Sequence, residues 1–180
     1  TKNSSEATFN SAKALAESLG ATFVSWSIEE EVQAYTQTIE GVLGRALTWE
    51  QDDISLQNIQ ARTRSPIIWL LANLKNALLL STSNRSEGDV GYATMDGDTS
   101  GSISPIAGVD KDFVIHWLQW AEKNLDRPGL REVNALTPTA ELRPQERSQT
   151  DEKDLMPYSL LVEIERLAIR DRRSPLEVFD

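Results

Sequence analysis

The chain has 180 residues, with 18 Lys and Arg against 28 Asp and Glu, for a net charge of −10. Cysteine is absent and His116 is the one histidine, which excludes disulfides, thiolate chemistry and a multi-histidine metal site. The acidic balance disfavours non-specific nucleic-acid binding, which needs a basic surface, yet leaves room for an anionic small ligand held by local cations or a divalent metal.

Residues 1–5 are polar and read as a frayed start. Apolar residues at Phe9, Ala12, Leu15, Ala16 and Leu19 recur at helical spacing, and Gly20 is a suitable stop. "ATFVSWSI" (21–28) reads as a strand, and 29–44 returns to helical period, ending at Gly44. Residues 54–76 read as a long helix or a helix pair, with Pro66 expected to break or kink it. "ALLLST" (77–82) is an apolar run typical of a strand buried on both faces. A long polar, glycine-rich stretch follows to Gly101, and "SISPIAGV" (102–109) reads as a third strand. Residues 111–125 form an amphipathic helix with Asp110 as N-cap. Residues 127–155 are mostly loop, and a closing helix follows with Pro157 in its first turn.

This alternation predicts an α/β fold, a Rossmann-like parallel sheet flanked by helices. Because a helix comes first, it reads like a domain missing its first strand. No apolar run approaches the roughly 18 residues of a membrane span, so a membrane is not an expected partner, and the acidic balance leaves nucleic acid out as well. The cytoplasm is the expected compartment.

In open parallel sheets, ligands bind beyond the carboxyl ends of strands. "ALLLST" brings Thr82 there, and Glu87 follows closely. A hydroxyl and a carboxylate suit a nucleotide–Mg²⁺ site, though a solvated polar loop fits the same residues. Asn58 and Arg62 share a helical face that could clamp a carboxylate or phosphate, or be plain polar surface; Arg64 points elsewhere. Lys111 opens a helix, where negative charge is the usual preference. A bound anion would explain it, and so would the neighbouring Asp110 and Asp112. His116, Trp117 and Trp120 read as structural and packing residues.

The stretch "STSNRSEGDVGYATMDGDTSGSISPIAGVDK" resembles the signature segment of NAD synthetases, with its Asn-x-Ser-Glu, Gly-Tyr-x-Thr, Gly-Asp, Pro-Ile and Lys in order. Upstream "NIQARTR" and downstream "PTAELRPQERSQTDEKDLMPY" are similar to two further segments of that family. The resemblance implies an ATP-pyrophosphatase fold, adenine-nucleotide alpha-hydrolase-like. It implies a ligase of NAD biosynthesis in which ATP adenylates deamido-NAD and ammonia displaces AMP. It implies Thr82, Lys111 and Thr139 at ATP, and Asn58, Arg62, Glu87, Tyr92 and Asp98 at deamido-NAD, with Glu87 also holding Mg²⁺. No protein nucleophile is implied.

"AELRP" and "DLMPY" are similar to the long, glutamine-dependent branch, which implies a glutaminase domain in the full-length chain and a homodimer. Met95 stands where the ammonia-dependent branch has Lys, and Asp96 where a Tyr is usual. Nothing matches the family's Ser-Gly-Gly-x-Asp-Ser phosphate loop, and the family's late basic pair would fall beyond Asp180. Residues 1–180 are therefore expected to form a single partial synthetase domain that makes no NAD by itself. The alternatives are a non-catalytic nucleotide-binding or dimerising remnant, and another ATP-pyrophosphatase-type amidating ligase. The segment from Asn58 to Arg64 argues against the latter.

Overall fold

A computed structural model describes residues 3–147 and 149–179. The helices follow local signals. Helix α1 (Glu6–Ser18) starts at Ser5, whose hydroxyl accepts from the Thr8 N–H, and is followed by Gly20 at φ 69°. Helix α2 (Glu29–Leu43) closes on Gly44 at φ 67°, a left-handed turn that glycine adopts without a Cβ clash. Residues 1–2 lie outside the described residues, but the expected fraying does not extend to Asn3. Its buried amide donates to Gln60 Oε1 and to the Leu142 carbonyl, both at 2.9 Å.

Helix α3 (Asp53–Lys75) runs unbroken through Pro66, against expectation. Proline removes one N–H from the helical ladder, the one that would reach the Arg62 carbonyl. The bonds on either side carry the helix through. Its buried face is largely polar, with Gln57, Gln60, Thr63 and Ser65 packed beside the fully buried Ala61.

The parallel sheet is the main correction. Among the described residues, strand pairing consists of one parallel bridge, Leu80 to Ile103, with Ser81 N–H donating to the Ile103 carbonyl and Ser102 N–H to that of Leu79. Residues 21–28 form no strand. A strand exists only through ladder partners, and no backbone bond joins 22–27 to another described segment. "ALLLST" is consequently not buried on both faces: Leu78 is 73% and Leu80 54% exposed.

The glycine-rich stretch is partly helical. Helix α4 (Arg85–Asp89) is closed by a capping box between Asn84 and Glu87. Gly97 and Gly101 serve close approaches within the chain. A Cβ on Gly97 would lie 2.8 Å from the Ala61 carbonyl carbon, and one on Gly101 would lie 2.5 Å from the Ser81 nitrogen.

Helix α5 (Lys111–Asn124) is capped by Asp110, which accepts from the Phe113 N–H at 2.7 Å. Trp117 and Trp120 do not pack as expected: they are 48% and 52% exposed, because no sheet face lies against that side of α5 among the described residues. His116 is exposed and bonded to the Asp112 carbonyl on its own helix.

Within the predicted loop of 127–155 sit α6 (Leu130–Asn134), a 3₁₀ turn at Gln145–Arg147 and α7 (Asp151–Asp154). Helix α8 (Tyr158–Glu165) has Pro157 just before its first residue and passes into a π-helical turn, Arg166–Arg170; α9 (Pro175–Phe179) follows. Helix α5 packs on α4, α6 and α8, α1 on α6, and α2 on α3. This arrangement faces the 81–101 segment toward α3, α5 and the loop around 138–155.

Candidate functional site

Two adjoining cavities lie around the 81–101 segment. The smaller, about 260 Å³, is lined by Asn58 and Arg62 from α3 with Tyr92, Thr94, Met95 and Asp98 from the segment. The larger, about 900 Å³, is lined by Arg64, Thr82, Glu87, Lys111 and Thr139 among others. Tyr92, Asp98, Ala140 and Leu142 line both and form the wall the cavities share.

In the smaller cavity, Asn58 Oδ1 accepts from the Thr94 hydroxyl at 2.8 Å. Arg62 donates from Nε to the Met95 carbonyl at 3.0 Å. Its terminal nitrogens have no bond to any described residue, so a side chain with five donors is anchored by one of them. Asp98 braces the segment: Oδ2 accepts from the Thr94 N–H at 2.8 Å, and its carbonyl accepts from the hydroxyls of Ser81 and Ser83.

In the larger cavity, Lys111 Nζ meets Glu87 Oε1 at 3.1 Å, while the other carboxylate oxygen caps α4. The lysine at a helix start is thus offset by Glu87 of the adjoining helix α4. Thr139 donates to the Gln149 carbonyl at 2.8 Å. Thr82 is exposed on the rim. Of the two places expected for Glu87, the structure puts it in the cavity that Thr82 and Lys111 line, not in the one that Asn58 and Arg62 line.

The shared wall is fixed by a network that sequence reading missed. Arg143 donates twice from Nε to Asp53, at 3.0 and 3.1 Å, once from Nη2 to Asp53 at 2.8 Å, and from Nη1 to Asp154 at 2.7 Å. Asp154 also accepts from the Tyr92 hydroxyl at 2.9 Å. The Arg143 hydrogen bond leads in holding the Asp53 carboxyl below its ordinary value. Burial pushes Asp154 upward, but donors from Gln149, Arg143 and Tyr92 outweigh it and hold that carboxyl low. Burial, then the bond to Asp154, pushes the Tyr92 phenol up, so it stays a neutral donor. Deeper still, the Tyr158 hydroxyl donates to Asp151 at 2.6 Å, and Asp151 Oδ1 is buried with no hydrogen-bond partner among the described residues. Asp53 and Arg143 are 90 residues apart, and no local pattern links them.

No group of three or more acidic, His or Cys side chains could hold a metal among the described residues. Glu87 offers one carboxylate, which fits Mg²⁺ only when ligand oxygens complete its sphere. Among the described residues no helix is long and apolar enough to cross a membrane.

The chain matches the NAD synthase family over residues 1–180. It is 39% identical to the glutamine-dependent NAD(+) synthetase of Aquifex aeolicus over 97% of the chain, and 35% identical to that of Arabidopsis thaliana over 99%. It spans 30% and 27% of those proteins. A crystal structure of a glutamine-dependent NAD(+) synthetase from Cytophaga hutchinsonii is similar, with a TM-score of 0.84 and 57% identity, covering 99% of this chain and 28% of that one. The NMN synthetase of Francisella tularensis, at 24% identity and a TM-score of 0.74, shares the fold over 98% of this chain and 67% of its own.

Proposed function

The chain belongs to the NAD synthase family, and from that premise we propose that its two cavities bind deamido-NAD and ATP for the amidation that yields NAD. The observation that carries the reading is the shared wall: a cavity of about 260 Å³ with Asn58 and Arg62 in its lining meets one of about 900 Å³ with Thr82, Glu87 and Lys111 in its lining at Tyr92 and Asp98.

In this reading the nicotinate carboxylate attacks the α-phosphorus of ATP. An oxygen–phosphorus bond forms as the bond to pyrophosphate breaks. Ammonia then attacks the acyl carbon, AMP leaves, and the nitrogen loses its extra proton. Both reacting groups are anionic, so the site must neutralise charge as they approach. The free guanidinium nitrogens of Arg62 and the Asn58 amide orient the dinucleotide. Lys111, released from Glu87, meets the phosphates, with Thr82 and Thr139 as hydroxyl partners. Glu87 would hold Mg²⁺ together with phosphate oxygens; when bound, the ion offsets phosphate charge. Asp98 keeps Oδ1 for the ligands while Oδ2 holds the loop.

The nitrogen comes from glutamine, as in the relatives named glutamine-dependent, through a glutaminase domain of the full-length chain, and the working form is a homodimer in the cytoplasm. Calorimetric titration tests the binding roles. Arg62→Ala should weaken deamido-NAD while sparing ATP–Mg²⁺, and Lys111→Ala should do the reverse. Unaltered affinities in both variants would refute the reading.

A further inference from the structure

Arg62 and Arg64 are two positions apart on α3, which places them about 200° apart around the helix axis. Arg62 lines the smaller cavity and Arg64 the larger. Each carboxylate on the larger cavity's wall has a partner other than Arg64: Glu87 has Lys111, Asp98 Oδ2 the Thr94 N–H, and Asp151 Oδ2 the Tyr158 hydroxyl. Arg64 has no hydrogen bond or ion pair to any described residue, although it is half-buried. Arg85 and Arg143, by contrast, each bridge two or more carboxylates.

A guanidinium is always charged and cannot escape by losing its proton. Held half-buried on a helix, with no counter-ion among the described residues, beside a cavity of about 900 Å³, it is preorganised for an anion. Its planar fork suits two oxygens of one phosphate. We infer that Arg64 is a phosphate-binding residue, gripping the polyphosphate of a nucleoside triphosphate from the α3 side while Lys111 meets it from α5. The inference rests on the reading of the larger cavity as the ATP site. It adds a cation that the sequence pattern gave no role.

The test is calorimetric titration of the 180-residue chain and its Arg64→Gln and Arg64→Lys variants with ATP–Mg²⁺, inorganic pyrophosphate and adenosine, with thermal melts alongside. Loss of a charge-assisted pair should weaken ATP and pyrophosphate by roughly ten- to a hundredfold in Arg64→Gln. Adenosine should bind as before. Arg64→Lys should recover only part of the loss, since a point charge replaces a fork. Undiminished ATP and pyrophosphate binding in Arg64→Gln overturns the inference and leaves the cavity reading standing. An equal loss for adenosine also overturns it, by making Arg64 a wall support. Failure of the unsubstituted chain to bind ATP and pyrophosphate overturns the cavity reading and the inference together.

Discussion

Replacing Arg143 by Met removes a guanidinium that holds two carboxylates, from Asp53 at the start of α3 and from Asp154 in α7. The side chains of Arg143, Asp53 and Asp154 are 22%, 26% and 21% exposed, so the pairs are screened only in part. Charge-assisted hydrogen bonds contribute about 1.5–3 kcal/mol each. Discounting for solvent contact, we expect a loss of about 2–3 kcal/mol in all. For a chain of this size that lowers the melting temperature by about 4–12 °C. The effect depends on pH. Both carboxyls are held below their ordinary values in the fold. Their stabilisation is full above the unfolded value of about 3.9 and fades as pH falls through the lower folded values. Thermal melts followed by circular dichroism at pH 7 and pH 3 should show the gap between parent and variant narrowing at the acid end. A gap under about 1 °C at pH 7, or one equally wide at pH 3, would refute the reasoning.

Tyr92→Phe should leave the cavity shape intact but remove the donor to Asp154; deamido-NAD affinity by calorimetry should fall, with a melting temperature within about 4 °C of the parent. Gly97→Ala should cost about 1–3 kcal/mol in urea unfolding, because the new methyl meets the α3 backbone at Ala61. Asn84→Ala removes the cap of α4 and should cost about 1 kcal/mol. ATP–Mg²⁺ binding should change little, because the Glu87 carboxylate accepts from the Asn84 backbone N–H, which alanine keeps, and from Lys111. Trp120→Ala should cost about 2 kcal/mol or less, below the range of about 3–5 for a buried aromatic; a loss in the full range would mean that this face of α5 is covered in solution.

Helices α1, α2 and α5 were legible because their determinants are local: apolar spacing, Gly20 and Gly44 as stops, and Asp110 as cap. The strands were not. "ATFVSWSI" and "ALLLST" have the composition of strands, but pairing is a long-range property, and here it amounts to Leu80 on Ile103. Pro66 misled because a rule about one residue was set against a helix supported on both sides.

The site residues fell on the two cavities because the family's ordered motifs carried positions that spacing alone left ambiguous. Asn58 and Arg62, which spacing left open as plain surface, line the smaller cavity together, and the terminal nitrogens of Arg62 have no bond to a described residue. The Arg143 network stayed hidden because its partners meet only after α3 and the 138–155 loop are packed together.

The central claim is that one ligand's carboxylate and the other's phosphates meet at Tyr92 and Asp98. A crystal structure of the chain grown with deamido-NAD and a non-hydrolysable ATP analogue tests it most directly. We predict the nicotinate end between Asn58 and Arg62, and the triphosphate beside Thr82, Lys111 and Arg64. Either ligand seated outside these two cavities, or the two held apart without contact at the Tyr92–Asp98 wall, would contradict it.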